Sequence, residues 1–241
     1  MERYRKYFAG KKITVIGLGL LGRAAGDIEF LAECGAELIV TDKKTKAELA
    51  ESVARLSRFP HIAFILGEHR LEDFRGRDFV LKGAGIPLDS PYIAEARKNG
   101  VPIEMSTALF VRLSGVTAVG VTGTRGKSTT THLIYEILRL SGKKVLLGGN
   151  VRGVSTLALL PHVTTNSVAV LELDSWQLQG FHESKISPHI SVFTNFLDDH
   201  LNYYKNDTDL YFEDKTAIFR YQKNTDFLVA GPRASEIIGK S

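Results

Sequence analysis

Residues 116–131 read V-T-A-V-G-V-T-G-T-R-G-K-S-T-T-T, and this stretch decides how the second half of the chain folds. A short apolar, β-branched run enters a loop broken by glycines, and an amphipathic stretch follows at residues 132–140. A strand, a glycine-rich loop and a helix in this order can bind phosphate through backbone N–H groups and the helix N-terminus. The pattern therefore predicts a nucleoside triphosphate site.

The side chains of this loop suit the same ligand. Gly123 and Gly126 let the backbone turn its N–H groups toward an anion, and Lys127 can reach the terminal phosphates. The Ser128 hydroxyl can bind Mg²⁺. The sequence departs from the strict pattern G-x-x-x-x-G-K-S at one position, because Val121 occupies the place of its first glycine. The alternative is an ordinary glycine-rich turn between a strand and a helix. The predicted nucleotide-binding residues are Gly123, Thr124, Arg125, Gly126, Lys127, Ser128 and Thr129.

A second glycine-rich loop lies near the N-terminus. Residues 11–16 are typical of a buried strand, and G-L-G-L-L-G follows at residues 17–22 before a predicted helix. A second strand then ends at Asp42, which is 20 residues beyond Gly22. This is the dinucleotide-binding pattern in its usual setting, although such loops also serve other diphosphate ligands. Asp42 has a plainer alternative as a solvated acid at a strand end. The predicted ligand-binding residues here are Gly19, Leu20, Leu21, Gly22 and Asp42.

Strands and helices alternate along the rest of the chain, which predicts parallel sheets with helices on both faces. The expected fold class is α/β. A Rossmann-like N-terminal domain covers residues 1–113, and a P-loop NTPase-like parallel-sheet domain, which we expect to be incomplete, covers residues 114–241. The expected elements that matter below are helices at 46–59 and 202–221 and strands at 167–174 and 189–197.

Composition limits the possible functions. The 241 residues are 44% hydrophobic and 24% charged, which is typical of a globular protein with a sizeable core. The net charge of +4 is spread along the chain without a basic block, so it favours small anionic ligands over nucleic acid. The single Cys34 cannot form an internal disulfide, which fits a reducing compartment. No apolar run reaches the ~18–20 residues of a membrane span and no signal sequence is recognisable, so we expect a cytoplasmic protein with no membrane partner.

Acidic residues follow two of the predicted apolar strands. Glu172 and Asp174 close the most apolar strand of the chain, and period-two alternation places both on one face. Asp198, Asp199 and His200 follow the next predicted strand. Carboxylates at the ends of strands beside a nucleotide loop are typical of a metal site. A satisfied core histidine is the alternative for His200.

These motifs together resemble those of the Mur ligase family, the ATP-dependent amide ligases of peptidoglycan precursor synthesis. T-G-T-R-G-K-S-T resembles the family loop T-G-T-x-G-K-S/T. L-E-L-D-S-W-Q-L resembles the L-E-L-S-S-F-Q-L of the member that adds D-glutamate. G-G-N at 148–150, N-x-x-x-D-H at 195–200 and Lys215 on the following predicted helix also match. The resemblance covers essentially the whole chain.

The resemblance implies a role for each matching residue. Lys127 and Ser128 would hold the ATP phosphates and Mg²⁺, and Glu172 and His200 would be metal ligands. Lys215 would match the lysine that the family carbamylates with CO₂, which turns an ammonium into a Mg²⁺ ligand. That reaction requires a neutral amine and therefore a lowered pKa. The catalytic residues implied are Lys127, His200 and Lys215.

The substrate-binding roles also follow from the resemblance. Residues 19–22 would hold the diphosphate of a UDP-linked substrate, and Asp42 would read its uracil. Asn150 would contact the substrate or the phosphate region. The implied substrates are UDP-N-acetylmuramoyl-L-alanine and D-glutamate, which an acyl phosphate made from ATP would join. A monomer is the expectation for this family.

Several features depart from the family pattern. Arg125 stands where asparagine or aspartate is usual, Asp174 replaces a serine, K-G-A-G at 82–85 replaces S-P-G, and Ser106 falls where an acid is common. Family members are also about twice as long and carry a third, C-terminal domain. We therefore expect these 241 residues to bind the UDP-linked substrate without completing ligation alone. The alternatives are another ligase of the Mur or folylpolyglutamate type, an NAD-dependent oxidoreductase and a non-catalytic UDP-sugar-binding module.

Overall fold

The computed structural model describes residues 1–20, 22–199 and 202–239, so the predicted site residues Leu21 and His200 lie outside the described ranges. It confirms the α/β fold class, with two parallel sheets of five strands each. The chain divides into two compact units. The first consists of Met1–Phe110 with Arg152–Pro161, and the second consists of Val111–Val151 with His162–Ser241.

The sheet of the first unit has the strand order β3-β2-β1-β4-β5, and all of its pairs are parallel. Its strands are β1 (Lys12–Ile16), β2 (Glu37–Asp42), β3 (Ala63–Leu66), β4 (Phe79–Lys82) and β5 (Ile103–Glu104). Its helices are α1 (Glu2–Phe8), α2 (Arg23–Glu33), α3 (Ala50–Leu56) and α4 (Pro91–Lys98), and α5 (Ser106–Ser114) begins in this unit. The glycine-rich loop follows β1, which lies between β2 and β4. A ligand site is expected at such a switch in strand order.

The sheet of the second unit has the order β10-β9-β6-β8-β7 and is also parallel throughout. Its strands are β6 (Thr117–Thr122), β7 (Lys144–Gly149), β8 (Ser167–Glu172), β9 (Ile190–Phe193) and β10 (Phe227–Ala230). Its helices are α6 (Lys127–Leu140), α7 (Ser175–Ser184), α8 (Thr208–Thr216) and α9 (Pro232–Ile238). Among the described residues, no helix is both long and apolar enough to cross a bilayer.

The helices predicted at 202–221 and 46–59 are both shorter in the structure. Only Thr208–Thr216 is helical in the first case, because Lys205 and Asn206 have φ of 54° and 60°, which a helix does not allow. Asp207 is the N-cap of this helix, because its carboxylate accepts backbone N–H groups of the first turn. In the second case Ala50–Leu56 is helical, and Thr45 forms a separate turn before it through hydrogen bonds with the carboxylate of Glu48.

The two apolar strands of the second unit also end earlier than predicted. β9 ends at Phe193, because the backbone of the next residues bonds to the loop after β6. β8 ends at Glu172, because the Asp174 carboxylate accepts the N–H of Gln177 at 2.7 Å and begins α7. In both places contacts with a side chain or a loop replace regular strand structure at the end of the predicted run.

Burial within the second sheet predicts a contrast between two valines. Val170 in β8 is fully buried, whereas Val229 in the edge strand β10 is 57% exposed. We expect Val170→Ala to lower the free energy of unfolding by about 2–3 kcal/mol through lost burial and a residual cavity. Val229→Ala, the matched control, should change it by less than about 0.5 kcal/mol. Urea unfolding followed by the fluorescence of Trp176 measures both, and equal losses would contradict the assigned burial.

Candidate functional site

The loop between β6 and α6 has the backbone shape of an anion-binding turn. Gly123 has φ of 135°, and Gly126, the N-cap residue of α6, has φ of 81°. Both values lie in the region that favours glycine. A Cβ atom on Gly123 would collide with the hydroxyl of Thr194. The first N–H groups of α6, beginning at Lys127, have no partner within the helix and can meet an anion.

The segment after β9 holds this loop in place. The side-chain amide of Asn195 bonds to both backbone groups of Arg125, because Oδ1 accepts its N–H at 2.9 Å and Nδ2 donates to its carbonyl at 3.0 Å. The Thr194 hydroxyl donates to the same carbonyl at 2.7 Å. Neither residue was predicted to hold the loop. The signal was present, since Asn195 is the first residue of N-x-x-x-D-H.

Thr124 supports the loop with its hydroxyl instead of presenting that hydroxyl to a ligand. Its Oγ1 donates to the Leu197 carbonyl at 3.0 Å and accepts the Leu197 N–H at 2.9 Å. Its own N–H donates to the Asn195 carbonyl at 2.9 Å. Since the N–H groups of Thr124 and Arg125 are both engaged, the N–H groups farther along, at the start of α6, are those suited to a phosphate.

Lys127 lies over its own loop. Its Nζ donates to the carbonyls of Gly123 and Thr124, both at 3.0 Å. Its flexible side chain gives a mobile positive charge beside the exposed Ser128 and Thr129. All seven predicted nucleotide-binding residues therefore belong to one loop and the start of one helix.

Lys215, on α8, is buried against the same loop and is 1% exposed. Its Nζ donates to the Gly123 carbonyl at 3.1 Å and to the Thr122 hydroxyl at 3.4 Å. Burial, and next the positive charge of Lys127, lower the pKa of Lys215 to about 7. The nearby carboxylates act in the opposite direction. A neutral amine is therefore accessible near neutral pH.

A buried hydrogen-bond network fixes the helix that carries Lys215. The adjacent Asp214 carboxylate accepts the Tyr204 hydroxyl at 2.8 Å and the Gln179 side-chain N–H at 2.7 Å. Burial and the Asp214 charge raise the pKa of Tyr204, so this phenol remains a donor. Gln179 lies in α7, so the network ties α7 to α8 and holds Lys215 in position.

Glu172 and Asn150 lie together at the carboxyl ends of β8 and β7. The Asn150 N–H donates to the Glu172 carbonyl at 2.8 Å, and Nδ2 of Asn150 lies 3.4 Å from Oε1 of Glu172. Gly149, with φ of 83°, allows this approach, because a Cβ atom there would collide with the Glu172 backbone. The Glu172 side chain is only 5% exposed, so its carboxylate is held in one place.

Two other strand-end acids have structural partners. Asp174 caps α7, and Asp199 lies 3.7 Å from the exposed Arg125 guanidinium. Among the described residues, no group of three or more His, Cys, Asp or Glu side chains could hold a metal ion. Ser128 and Glu172 nevertheless provide the oxygen donors that Mg²⁺ prefers, and Mg²⁺ commonly takes one or two carboxylates with waters and substrate phosphates.

In the first unit, Asp42 holds the glycine-rich loop. Its Oδ2 accepts the Gly19 N–H at 2.9 Å, and its Oδ1 accepts the Lys44 N–H at 2.9 Å. Gly19 and Gly22 have φ of 61° and 73°, and Gly22 is the N-cap of α2. Leu20 beside them is 62% exposed. Both oxygens of Asp42 thus already accept backbone N–H groups, which shape the loop.

A cavity of about 250 Å³ opens beside this loop. It is lined by Leu20, Gly22, Ala25, Glu51, Ser52, Arg55, Arg152 and Gly153. Arg55 forms an ion pair with Glu29, and its Nη1 lies 3.5 Å from the Gly22 carbonyl. Two guanidinium groups and a helix N-terminus favour an anionic ligand, against the opposing charge of Glu51 in the lining. Neither arginine belongs to the glycine motif, so the sequence pattern does not indicate them.

The K-G-A-G departure also has a structural role. Lys82 is buried, and its Nζ donates to the carbonyls of Ile86 at 2.7 Å and of Gly83 and Ala84 at 3.3 Å. The Ile86 side chain lies 3.4 Å from where a Cβ atom on Gly17 would stand. Lys82 therefore supports a loop that packs against the beginning of the glycine motif.

Family models match both halves of the chain. The Mur ligase middle domain matches residues 121–237, and the Mur ligase MurD-like N-terminal domain matches residues 11–104. The UDP-N-acetylmuramoylalanine--D-glutamate ligase of Roseiflexus sp. (strain RS-1) is 39% identical over 90% of this chain and 46% of its own length. The enzyme of the same name from Treponema pallidum is 36% identical over 97% of this chain and 47% of its own length. The chain thus spans about half the length of these relatives.

Solved structures share the fold. The UDP-N-acetylmuramate:L-alanyl-gamma-D-glutamyl-meso-diaminopimelate ligase from Neisseria meningitides has a TM-score of 0.63 at 18% identity, covering 97% of this chain and 76% of its own. The UDP-N-acetylmuramate-alanine ligase MurC from Thermotoga maritima has a TM-score of 0.57 at 23% identity. The match covers 93% of this chain and 50% of that one. Both family models, the curated relatives and the shared fold agree: the chain belongs to the Mur ligase family.

Proposed function

We propose that this chain carries the UDP-substrate and ATP sites of an ATP-dependent amide ligase that adds D-glutamate to UDP-N-acetylmuramoyl-L-alanine in peptidoglycan synthesis. The observation that carries the proposal is the buried Lys215 amine at 3.1 Å from the Gly123 carbonyl of the nucleotide loop. The relatives named for this reaction, at 36% and 39% identity, support the choice of D-glutamate over other added amino acids. Because the reaction uses ATP and a nucleotide-linked precursor, we place it in the cytoplasm.

In the proposed reaction, the substrate carboxylate attacks the γ-phosphorus of ATP and ADP leaves. The amine of D-glutamate then attacks the acyl phosphate carbonyl, and phosphate leaves. Such chemistry requires positioning and charge stabilisation more than a nucleophilic side chain. The α6 N-terminus would bind the phosphates, and Lys127 would turn from its loop carbonyls toward the γ-phosphate. Thr194 and Asn195 keep the loop rigid while this happens.

The side chains at this site carry oxygen atoms, which are the donors that Mg²⁺ prefers. Ser128 and Glu172 would hold it together with ATP oxygens, and the ion would neutralise charge on the phosphates. Asn150 would orient the Glu172 carboxylate through the contact described above. A carbamate on Lys215 would add a further oxygen donor. His200, the remaining implied ligand, stays a prediction.

In the first unit, we propose that the cavity beside the glycine-rich loop binds the UDP diphosphate. The first backbone N–H groups of α2, after its N-cap Gly22, would face the diphosphate, with Arg55 supplying positive charge. Asp42 would read the uracil with its remaining acceptor capacity, since each of its oxygens accepts only one backbone N–H, from Gly19 or Lys44. An NAD-dependent oxidoreductase, the alternative from the glycine motif alone, would not require the second nucleotide loop.

Removing the loop lysine tests the ATP site. We expect Lys127→Met to weaken binding of a non-hydrolysable ATP analogue with Mg²⁺ by about 10–100-fold, as the loss of a charge-assisted contact does. Lys143→Met, which removes an exposed lysine just after α6, is the matched control and should leave the affinity unchanged. Isothermal titration calorimetry measures both. Equal affinities for the two variants would contradict the role of Lys127.

Ligand preference tests the site in the first unit. UDP-N-acetylmuramoyl-L-alanine and UDP should each raise the melting temperature, whereas NAD should not. A ligand at 100 times its Kd adds about 2.7 kcal/mol to the stability of the folded state, which a thermal-shift titration detects. A shift with NAD alone would overturn the UDP assignment and favour the oxidoreductase alternative.

Carbamylation of Lys215 is tested spectroscopically. With ¹³C-bicarbonate at mildly alkaline pH, we expect a lysine carbamate signal in the ¹³C NMR spectrum of the unsubstituted chain, because the amine is largely neutral there. Lys215→Met should abolish the signal, while Lys143→Met should retain it. Circular dichroism checks that the variants are folded. A signal that persists in folded Lys215→Met would exclude this lysine as the modified group.

A further inference from the structure

The segment Arg152–Pro161, here called the 152–161 segment, belongs to the first unit although the chain on either side of it belongs to the second. Only Val151 separates it from Asn150, which is bonded to Glu172. The segment contains no part of the glycine motif. Its two first residues, Arg152 and Gly153, nevertheless line the cavity beside the glycine-rich loop.

The carboxylate of Asp27, in α2, bonds to two residues of the segment. Its Oδ1 accepts the Ser155 hydroxyl at 2.5 Å and the Leu157 N–H at 3.2 Å. Leu157 begins a short 3₁₀ helix, Leu157–His162, so Asp27 caps this helix from 130 residues away in the sequence. The Ser155 hydroxyl oxygen also accepts the Ala158 N–H at 3.1 Å, which continues the same cap.

The residue beside Asp27 permits this contact. Gly26 has no side chain, and a Cβ atom there would stand 2.6 Å from Cβ of Ser155. Such a distance is not found between real side chains, so any larger residue would push the segment from α2. Helix interiors disfavour glycine by about 1 kcal/mol relative to alanine. The close approach of Ser155 explains why a glycine occupies this position within α2.

The Asp27 carboxyl depends on these bonds because it is deeply buried, at 6% exposure. Burial raises the pKa of Asp27 to about 6, against the opposing effects of hydrogen bonds from Ser155 and Ser106, the Leu157 N–H and the charge of Arg23. A buried carboxylate that loses its donors is costly. The contact therefore behaves as a fixed attachment for the segment.

We propose that Asp27 is a positioning residue for ligand binding in the first unit: by holding Ser155 and Leu157, it fixes the segment so that Arg152 completes the cationic wall of the cavity. The ligand is an anionic diphosphate, and this choice rests on the proposed function. Arg152 acts on the ligand directly, whereas Asp27 acts only through the segment.

The test compares Asp27→Ala, Asp27→Asn and Ser155→Ala with Asp89→Ala, an exposed acid before α4. Hydrogen–deuterium exchange of peptides covering the 152–161 segment reports the attachment without any ligand. Calorimetric titration with UDP reports the cavity. We expect Asp27→Ala to speed exchange of the segment and to weaken UDP binding by about tenfold or more. Ser155→Ala should act in the same direction, and Asp89→Ala should change neither.

Asp27→Asn is the conservative variant, because its Oδ1 still accepts from Ser155 and Leu157. It should restore slow exchange and most of the affinity, which a purely charge-based effect would not do. Unchanged exchange in folded Asp27→Ala would overturn the attachment. Faster exchange with unchanged UDP affinity would overturn its role in binding. Failure of the unsubstituted chain to bind UDP would instead overturn the proposed function and, with it, the choice of ligand, whereas the exchange data would still decide the attachment.

Discussion

The carboxyl ends of parallel strands lie at one edge of a sheet, and both ligand loops depend on this constraint. In each unit the glycine-rich loop follows a strand that lies between two others, β1 in the first sheet and β6 in the second. The neighbouring strands end beside the loop and deliver the groups that shape it. Asp42 arrives from β2 in this way, and Asn195 arrives just after β9. Each loop therefore takes its form from a partner distant in sequence.

The two loops are held by different chemistry. In the first unit the carboxylate of Asp42 accepts backbone N–H groups, so a negatively charged side chain joins the end of β2 to the loop. In the second, a neutral amide and a hydroxyl bond to the backbone N–H and carbonyl of one residue, Arg125. A neutral support suits a loop that would carry a triphosphate, because it adds no repulsion to a highly charged ligand. The positive charge of Lys127 lies at the start of α6, outside this support.

Much of this was predictable from the sequence. The fold class and the order of strands and helices followed from hydrophobic runs and glycine positions, because these depend on local spacing. The glycine-rich turn between β6 and α6 was predicted at its observed place. The limits of elements were less accurate, since Asp174 and Asp207 each begin a helix by a side-chain contact that competes with the periodic pattern. Local capping decided where those elements stop and start.

The parts that the sequence did not predict are contacts between distant residues. Arg152 and Arg55 line one cavity although nearly a hundred positions separate them. The role of Asn195 was similarly hidden, because its motif indicated a metal site and not a loop support. The lowered pKa of Lys215 arises from burial and from Lys127, and neither effect can be read from a linear pattern.

The discontinuous first unit has a consequence for how the chain is made. When only Met1–Phe110 has emerged from the ribosome, every strand of the first sheet has been made. The donors in the 152–161 segment have not. Until that segment emerges, Asp27 must stay hydrated or protonated, because the Ser155 hydroxyl and the Leu157 N–H do not yet exist. The first sheet can therefore form early. The Asp27 carboxylate on α2 gains its donors from the 152–161 segment only after β7 has been synthesised. A gene cut between the two sheets would produce a first half with this carboxyl short of two of its donors.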